Sequence, residues 1–319
     1  MTRQKVLVCG ATGFIGRNIA EALALRDDLE VFGTCWKSPP LEHPRIRMRK
    51  ADLTRPDHVE EALRGMDVVI QAAATTSGSK DIVNRPYIHV TDNAVMNSLI
   101  FRAAHDRKIK RVIFFSCTVM YHSSDTPLKE TDFDANRELH RNYFGVGWTK
   151  VYIEKMCEFY SRIGDVRYTV IRHSNIYGPY DKFDLERSHV FGATTAKVMT
   201  AAGGRITVWG TGEEGRDLLY VSDLADFVQL AMEKQESAFE LFNVGRGEAV
   251  SIRELVAKII AVSGKRIEVD HDLSKPTIKT SLCVDTSKAK AALGWAPKVS
   301  LDEGIRNTLE WYQANILSV

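Results

Sequence analysis

The stretch KVLVCGATGFIGRNIAEAL, residues 5–23, sets the fold of this chain. Five residues of β-type character run into a glycine turn at Gly10, Gly13 and Gly16. An amphipathic helix follows, with Ile15, Ile19, Leu23 and Leu25 as its apolar positions. In that order one glycine makes the tight turn, one admits a pyrophosphate against bare backbone, and one lets helix pack on strand. The helix N-terminus then offers unpaired N–H groups and a partial positive charge to phosphate. Three spaced glycines alone are a weak signal; a strand before and a helix after supply the confirming context.

Working outward, residues 29–35, 45–49, 67–71, 112–116 and 168–172 read as strands, with helices over 57–64 and 90–107 between them. Strands separated by helices imply an α/β fold, a doubly wound parallel sheet of the Rossmann type. Ligands on such sheets sit past the carboxyl ends of the strands. From about residue 175 the pattern loosens, leaving clear helices only at 251–263 and 301–315. The expected division is a dinucleotide-binding domain over 1–174, with a returning segment at about 217–245. A smaller C-terminal substrate lobe would comprise 175–216 and 246–319. A chain of 319 residues is long enough for two such lobes. The polar stretch 122–141 reads as a mobile loop over the site.

Composition excludes several classes. A net charge of +2 argues neither for nucleic acid nor for an acidic membrane surface as partner. No apolar run approaches the roughly 18 residues of a membrane span, and the apolar stretch near the start belongs to the glycine motif rather than to a leader. The five cysteines, Cys9, Cys35, Cys117, Cys157 and Cys283, are odd in number and lack metal-type spacing. They read as reduced thiols of a cytoplasmic protein without a bound metal.

Six motifs occur in order: GATGFIG; Asp52-Leu53; Gly-Trp-Thr-Lys ending at Lys150; Arg172-x-x-Asn175-x-Tyr177-Gly-Pro179; Arg216-Asp217-x-x-Tyr220-Val-x-Asp223; and Leu293-Gly-Trp-x-Pro297. Together they resemble the extended short-chain dehydrogenase/reductases, the NAD-dependent epimerase/dehydratases that act on nucleotide sugars, over essentially the whole chain. The run 175–179 with Ser188-His-Val190 and Val208-Trp-Gly210 is most similar to the branch of GDP-fucose synthases, epimerase/reductases of a GDP-linked keto sugar. The resemblance implies a cofactor site at Gly10, Thr12, Gly13, Phe14, Ile15, Gly16, Arg17, Lys37, Asp52, Leu53, Ala72, Ala73, Ala74, Lys150 and His173. It implies that Asp52 meets the adenine edge and that Arg216 clamps the substrate diphosphate. Asn175, Val190 and Trp209 would line the substrate pocket, and a homodimer is expected through the helices near Asn93 and Lys150. A surface ion pair with Asp217 is the plain alternative for Arg216. An acid at the end of the second strand selects NAD, whereas basic groups accept the 2′-phosphate of NADP. Here the residues are Thr34-Cys-Trp-Lys37, with Arg17 after the last glycine, which favours NADP over NAD.

The centre of the site departs from this pattern. The family places a Tyr four residues before the Lys, on the same helix face, so that the phenol passes a proton while hydride moves. Four residues before Lys150 stands Val146, and none of the ten tyrosines has a Lys four residues later. The usual hydroxyl position is Cys117, with Thr118 adjacent, and Val119 stands where epimerising relatives carry a Cys. His189 matches the family's acid. Three readings remain open: Tyr143 substitutes from one turn earlier; Cys117, His140, Tyr121 or a water relayed through Lys150 serves; or the chain binds a nucleotide sugar with weak or no turnover. The expected activity is that of an NADP-dependent C4 ketoreductase or epimerase of a GDP-linked sugar, with Lys150, Cys117, Thr118, Tyr143 and His189 at its catalytic centre.

Overall fold

A computed structural model describes residues 3–76, 84–185, 188–275, 277 and 280–318. The large layer is a seven-stranded parallel sheet in the order β3-β2-β1-β4-β5-β6-β10. Its strands are β1 (Gln4–Cys9), β2 (Leu29–Cys35), β3 (Ile46–Lys50), β4 (Val68–Gln71), β5 (Arg111–Phe115), β6 (Arg167–His173) and β10 (Phe239–Val244). Strands β1, β4 and β5 read as near-continuous apolar runs because helices cover both of their faces. The doubly wound reading therefore holds, with β10 added beyond β6.

Helices α1 (Phe14–Ala24) and α6 (Val221–Lys234) cover one face, where Ile19, Leu23, Leu224 and Phe227 are fully buried. Helices α2 (Pro56–Leu63), α3 (Thr91–Asp106) and α4 (Phe144–Ile163) cover the other, over Ile100, Phe101, Ile153 and Tyr168. Each fully buried Leu, Ile or Phe contributes on the order of 1.5–3 kcal/mol.

The smaller layer holds two short sheets. One is β11 (Ala249–Ser251), β9 (Gly215–Tyr220) and β7 (Asn175–Tyr177); the other pairs β12 (Glu268–Asp272) with β8 (Arg205–Trp209). Helices α5 (Val190–Thr200), α7 (Ile252–Ser263) and α9 (Leu301–Tyr312) pack around them. Tyr177 anchors this core: its ring centre is 4.2 Å from that of Phe191. A Cβ at Gly304 would fall 2.1 Å from the Tyr177 hydroxyl, so only glycine lets α9 approach the ring. Helix α8 (Ser287–Leu293) leads to Trp295, which is buried and donates from Nε1 to the Asp223 carbonyl at 3.0 Å.

The stretch 122–141 is tied down rather than loose. Leu128 N–H donates to Cys283 O at 3.0 Å, Asp285 N–H donates to Leu128 O at 2.7 Å, and Ser124 N–H donates to Ser281 O at 2.9 Å. These bonds join the stretch to the segment before α8.

Candidate active site

The glycine turn is built so that little but backbone fits. Gly10 has φ +76°, and a Cβ there would lie 2.7 Å from Ala73 Cα. A Cβ on Gly16 would lie 2.2 Å from the Gly10 carbonyl oxygen, the close helix–strand contact the motif calls for. Thr34, buried at the end of β2, fixes the turn from the side. Its Oγ1 accepts from Gly10 N–H at 2.8 Å, and its carbonyl accepts from Ala11 N–H at 3.1 Å. Gly13 is the N-cap of α1 with no side-chain cap, and the first turn carries no acid. The first-turn amides at Phe14, Ile15 and Gly16 therefore face outward without helical partners, a ready anion site. Thr12 and the segment Ala72 to Ala74 border this turn at half-buried or exposed positions.

Along the strand ends, Asp52 Oδ1 accepts from Thr54 N–H at 3.1 Å and from Thr54 Oγ1 at 2.7 Å, and these bonds hold its carboxyl below the usual range. Leu53 is buried beside it. Trp36 and Lys37 are exposed past β2, and Lys37 makes no ion pair among the described residues. Arg17 is engaged elsewhere: it pairs with Glu21 at 2.8 Å, and its guanidinium lies 3.7 Å from the centre of the Tyr180 ring. Arg17 thus carries a cation–π contact that Lys37 lacks among the described residues.

Lys150 lies on α4 opposite the end of β5. Its Nζ donates to Phe115 O at 2.7 Å and sits 4.8 Å from the centre of the Phe114 ring. Burial pushes its pKa down, opposed by the nearby Cys117 and Glu154. Burial raises the Cys117 thiol, against the pull of the Lys150 charge. Val146, half-buried, stands one turn before Lys150 on α4. Thr118 is buried and its carbonyl accepts from Tyr121 N–H at 3.0 Å.

Tyr143 does not extend the α4 helix backwards. It closes a single 3-10 turn, Arg141–Tyr143, and is the N-cap of α4. Its phenol is pushed up by burial, and the cation whose field reaches it is Arg216. Arg216 in turn donates through Nη1 to Gly215 O at 2.8 Å and to Thr280 O. It does not pair with Asp217, whose carboxylate is buried and accepts N–H bonds from Arg246 at 2.7 Å, Gly247 at 3.1 Å and Val284 at 3.2 Å. The plain alternative for Arg216 is thereby corrected. Asn175 donates to the Asp217 carbonyl at 3.2 Å, steadying the same corner.

His140 and Tyr121 are each engaged in hydrogen bonds. His140 caps its turn by accepting from Asn142 N–H at 3.3 Å. Tyr121 is sealed in a network that no motif announced. Glu154 and Arg172 form a buried ion pair at 2.7 Å, Ser116 Oγ donates to Glu154 at 2.5 Å, and Arg172 Nη1 donates to the Tyr121 hydroxyl at 2.9 Å. Tyr121 donates to Asn243 Oδ1 at 2.8 Å, and its phenol is pushed up to about 12. The carboxylate of Glu130 accepts from Asn243 N–H at 2.7 Å.

His189 is the exposed N-cap of α5, followed by half-buried Val190. Desolvation, Lys182 and His89 disfavour its charged form. His173, the last residue of β6, is held near 4 by burial, reinforced by Lys150 and His189. Trp209 ends β8, a third exposed, with Lys197 Nζ 5.9 Å from its ring. Among the described residues no cluster of His, Cys, Asp or Glu could hold a metal, and no helix is long and apolar enough to cross a membrane.

Comparison with known proteins agrees with this geometry. A family model described as the NAD dependent epimerase/dehydratase family matches residues 6–245. GDP-L-colitose synthase of Yersinia pseudotuberculosis is 28% identical over 318 residues, spanning 97% of both chains. GDP-L-fucose synthase of Azorhizobium caulinodans is 30% identical, with 97% of this chain and 96% of the relative covered. Among solved structures, UDP-glucose 4-epimerase of Thermotoga maritima with UDP-glucose superposes with a TM-score of 0.87 at 25% identity, over 98% of this chain and 100% of that one. The chain belongs to the NAD-dependent epimerase/dehydratase family.

Proposed function

We propose that this member of the NAD-dependent epimerase/dehydratase family is an NADP-dependent oxidoreductase of a GDP-linked sugar, acting at C4 as ketoreductase or epimerase. One set of relationships supports the reading: the Lys150 charge reaches Cys117, that of Arg216 reaches Tyr143, and Lys150 and His189 both act on His173 at the end of β6, in a fold that begins with an uncapped glycine turn. Full-length similarity to GDP-L-fucose and GDP-L-colitose synthases supports the GDP-sugar class.

The residues fit a nicotinamide dinucleotide. The outward amides of α1 would hold its diphosphate, Asp52 its adenine, Lys37 a 2′-phosphate and Lys150 the inner ribose; bound there, it supplies or accepts hydride. Arg216, a planar five-donor group, suits the substrate diphosphate. We assign Tyr143, Cys117 and Thr118 hydrogen bonding to the sugar nucleotide. Asn175, Val190 and Trp209 complete the substrate wall. We assign His189 contact with the substrate at the start of α5, and with Val119 in place of a thiol the second group for epimerisation is lost, which favours the plain reductase.

NADPH absorbance at 340 nm should fall when a GDP-linked 4-keto-6-deoxy sugar is added and not with UDP- or dTDP-linked analogues. No fall with any keto sugar, alongside tight NADPH binding, would favour the second reading: a nucleotide-sugar binding protein, which the vacancy at Val146 supports. We further propose a homodimer through α3 and α4, whose Val95, Tyr152, Phe159 and Ile163 are exposed. Sedimentation of Phe159→Lys as a monomer beside a dimeric parent would support it; a monomeric parent would exclude it.

A further inference from the structure

Exchange of hydride at a sugar carbon requires a group that carries the proton of the attached oxygen, and Val146 supplies none. Such a group has to share the ends of β5 and β6 with Lys150. His173 is there. It closes β6, and its ring centre lies 6.2 Å from that of Phe115, the residue whose carbonyl receives Lys150. Its Nδ1 is 2.7 Å from the Ser174 carbonyl oxygen. A carbonyl only accepts, so Nδ1 bears the hydrogen and Nε2 keeps its lone pair. Among the described residues nothing hydrogen-bonds Nε2, and it is not sealed from solvent. The charged or titratable groups that face the ring are Lys150 from α4 and His189 from the start of α5.

We propose that His173, through Nε2, is the proton carrier that takes the place of the absent phenol. The inference rests on the reading of this chain as a nucleotide-sugar oxidoreductase. In the oxidising direction the Nε2 lone pair takes the hydroxyl proton. A nicotinamide held there would take the C–H pair as hydride, so that the carbinol would be oxidised as the dinucleotide is reduced, while the O–H pair becomes the C=O π bond and Nε2 passes its proton to solvent. In the reducing direction Nε2 first takes a proton from solvent and then gives it to the oxygen. Burial, Lys150 and His189 oppose that protonation, so the imidazole rests neutral and a proton it has taken is readily given up.

Two measurements test this. In ¹⁵N-histidine NMR of the whole ligand-free protein, His173 should show the Nδ1–H tautomer at pH 7 and titrate well below the ordinary histidine value. The opposite tautomer would overturn the proposal. In kinetics at saturating NADPH, His173→Asn should lower kcat by about 10²- to 10⁴-fold, and adding Val146→Tyr should restore at least about tenfold of that loss. An active parent with an indifferent His173→Asn variant sinks the inference alone, as does a kcat loss that Val146→Tyr leaves untouched. A parent that binds NADPH yet turns over no nucleotide sugar removes the functional reading and this inference with it.

Discussion

Glu154 of α4 and Arg172 of β6 form an ion pair of 2.7 Å in which neither side chain is more than 5% exposed. The pair joins the helix that carries Lys150 to the strand that ends in His173. Through Arg172 Nη1 it also holds Tyr121 and the Glu130 carbonyl, and so the start and middle of the 122–141 stretch.

Glu154→Ala should destabilise the protein by about 3–5 kcal/mol, because Arg172 would be left buried and uncompensated. Urea unfolding checks this: the midpoint should fall with the slope unchanged. Glu154→Gln, which can still accept from Arg172, should lose less.

Lys37→Glu should weaken NADPH binding at least about tenfold, roughly 1.4 kcal/mol, and leave NADH unaffected or improved. Arg17→Ala should do little to this preference, since Arg17 is committed to Glu21 and Tyr180. Fluorescence titration with both cofactors separates the two residues; equal losses for NADH and NADPH in Lys37→Glu would argue against a 2′-phosphate contact.

Asp181→Asn should stabilise the protein at neutral and higher pH. The Asp181 Oδ2 is buried without a partner, and desolvation raises the carboxyl to about 7. Between about pH 4 and 7 the folded state keeps a proton that the unfolded chain has released, so stability falls as pH rises through that window. The gain from Asn should be roughly 1–3 kcal/mol at pH 8, a fraction of the full shift because the residue is part exposed, and near zero at pH 4. Thermal melts at the two pH values give the sign directly.

Tyr143→Phe should raise KM for the sugar nucleotide by about 3- to 15-fold, one neutral hydrogen bond's worth, with kcat changed less than KM. A loss confined to kcat, of the size expected for proton transfer, would return the acid–base role to the phenol.

Much of the large sheet was legible in the sequence. Residues 29–35 form β2 as expected, because a long apolar run leaves little choice. The smaller layer was not legible. Strand β12 reads Glu-Val-Asp-His-Asp, with one apolar residue, and is a strand only through its pairing with β8. Helix α5 carries Gly192 and several threonines; the glycine is there because a Cβ would lie 2.2 Å from Lys182 O. At the site, the motif residues were readable one by one, but the Ser116–Glu154–Arg172–Tyr121–Asn243 network joins positions far apart in the chain. Tyr143 was placed on the α4 face by its spacing, which a single 3-10 turn undoes.

The bond from Gly10 N–H to Thr34 Oγ1 also bears on how cofactor preference can change in this chain. The end of β2 is where such enzymes read the adenosine ribose, and an Asp at position 34 would be the obvious route to a different dinucleotide. Here that position also braces the phosphate turn. Exchanging it would trade selectivity against the shape of the loop that every dinucleotide needs. The adaptable letters are instead Trp36 and Lys37, which lie outside the brace. Redesign or natural drift of the cofactor should therefore run through those two positions while Thr34 stays fixed.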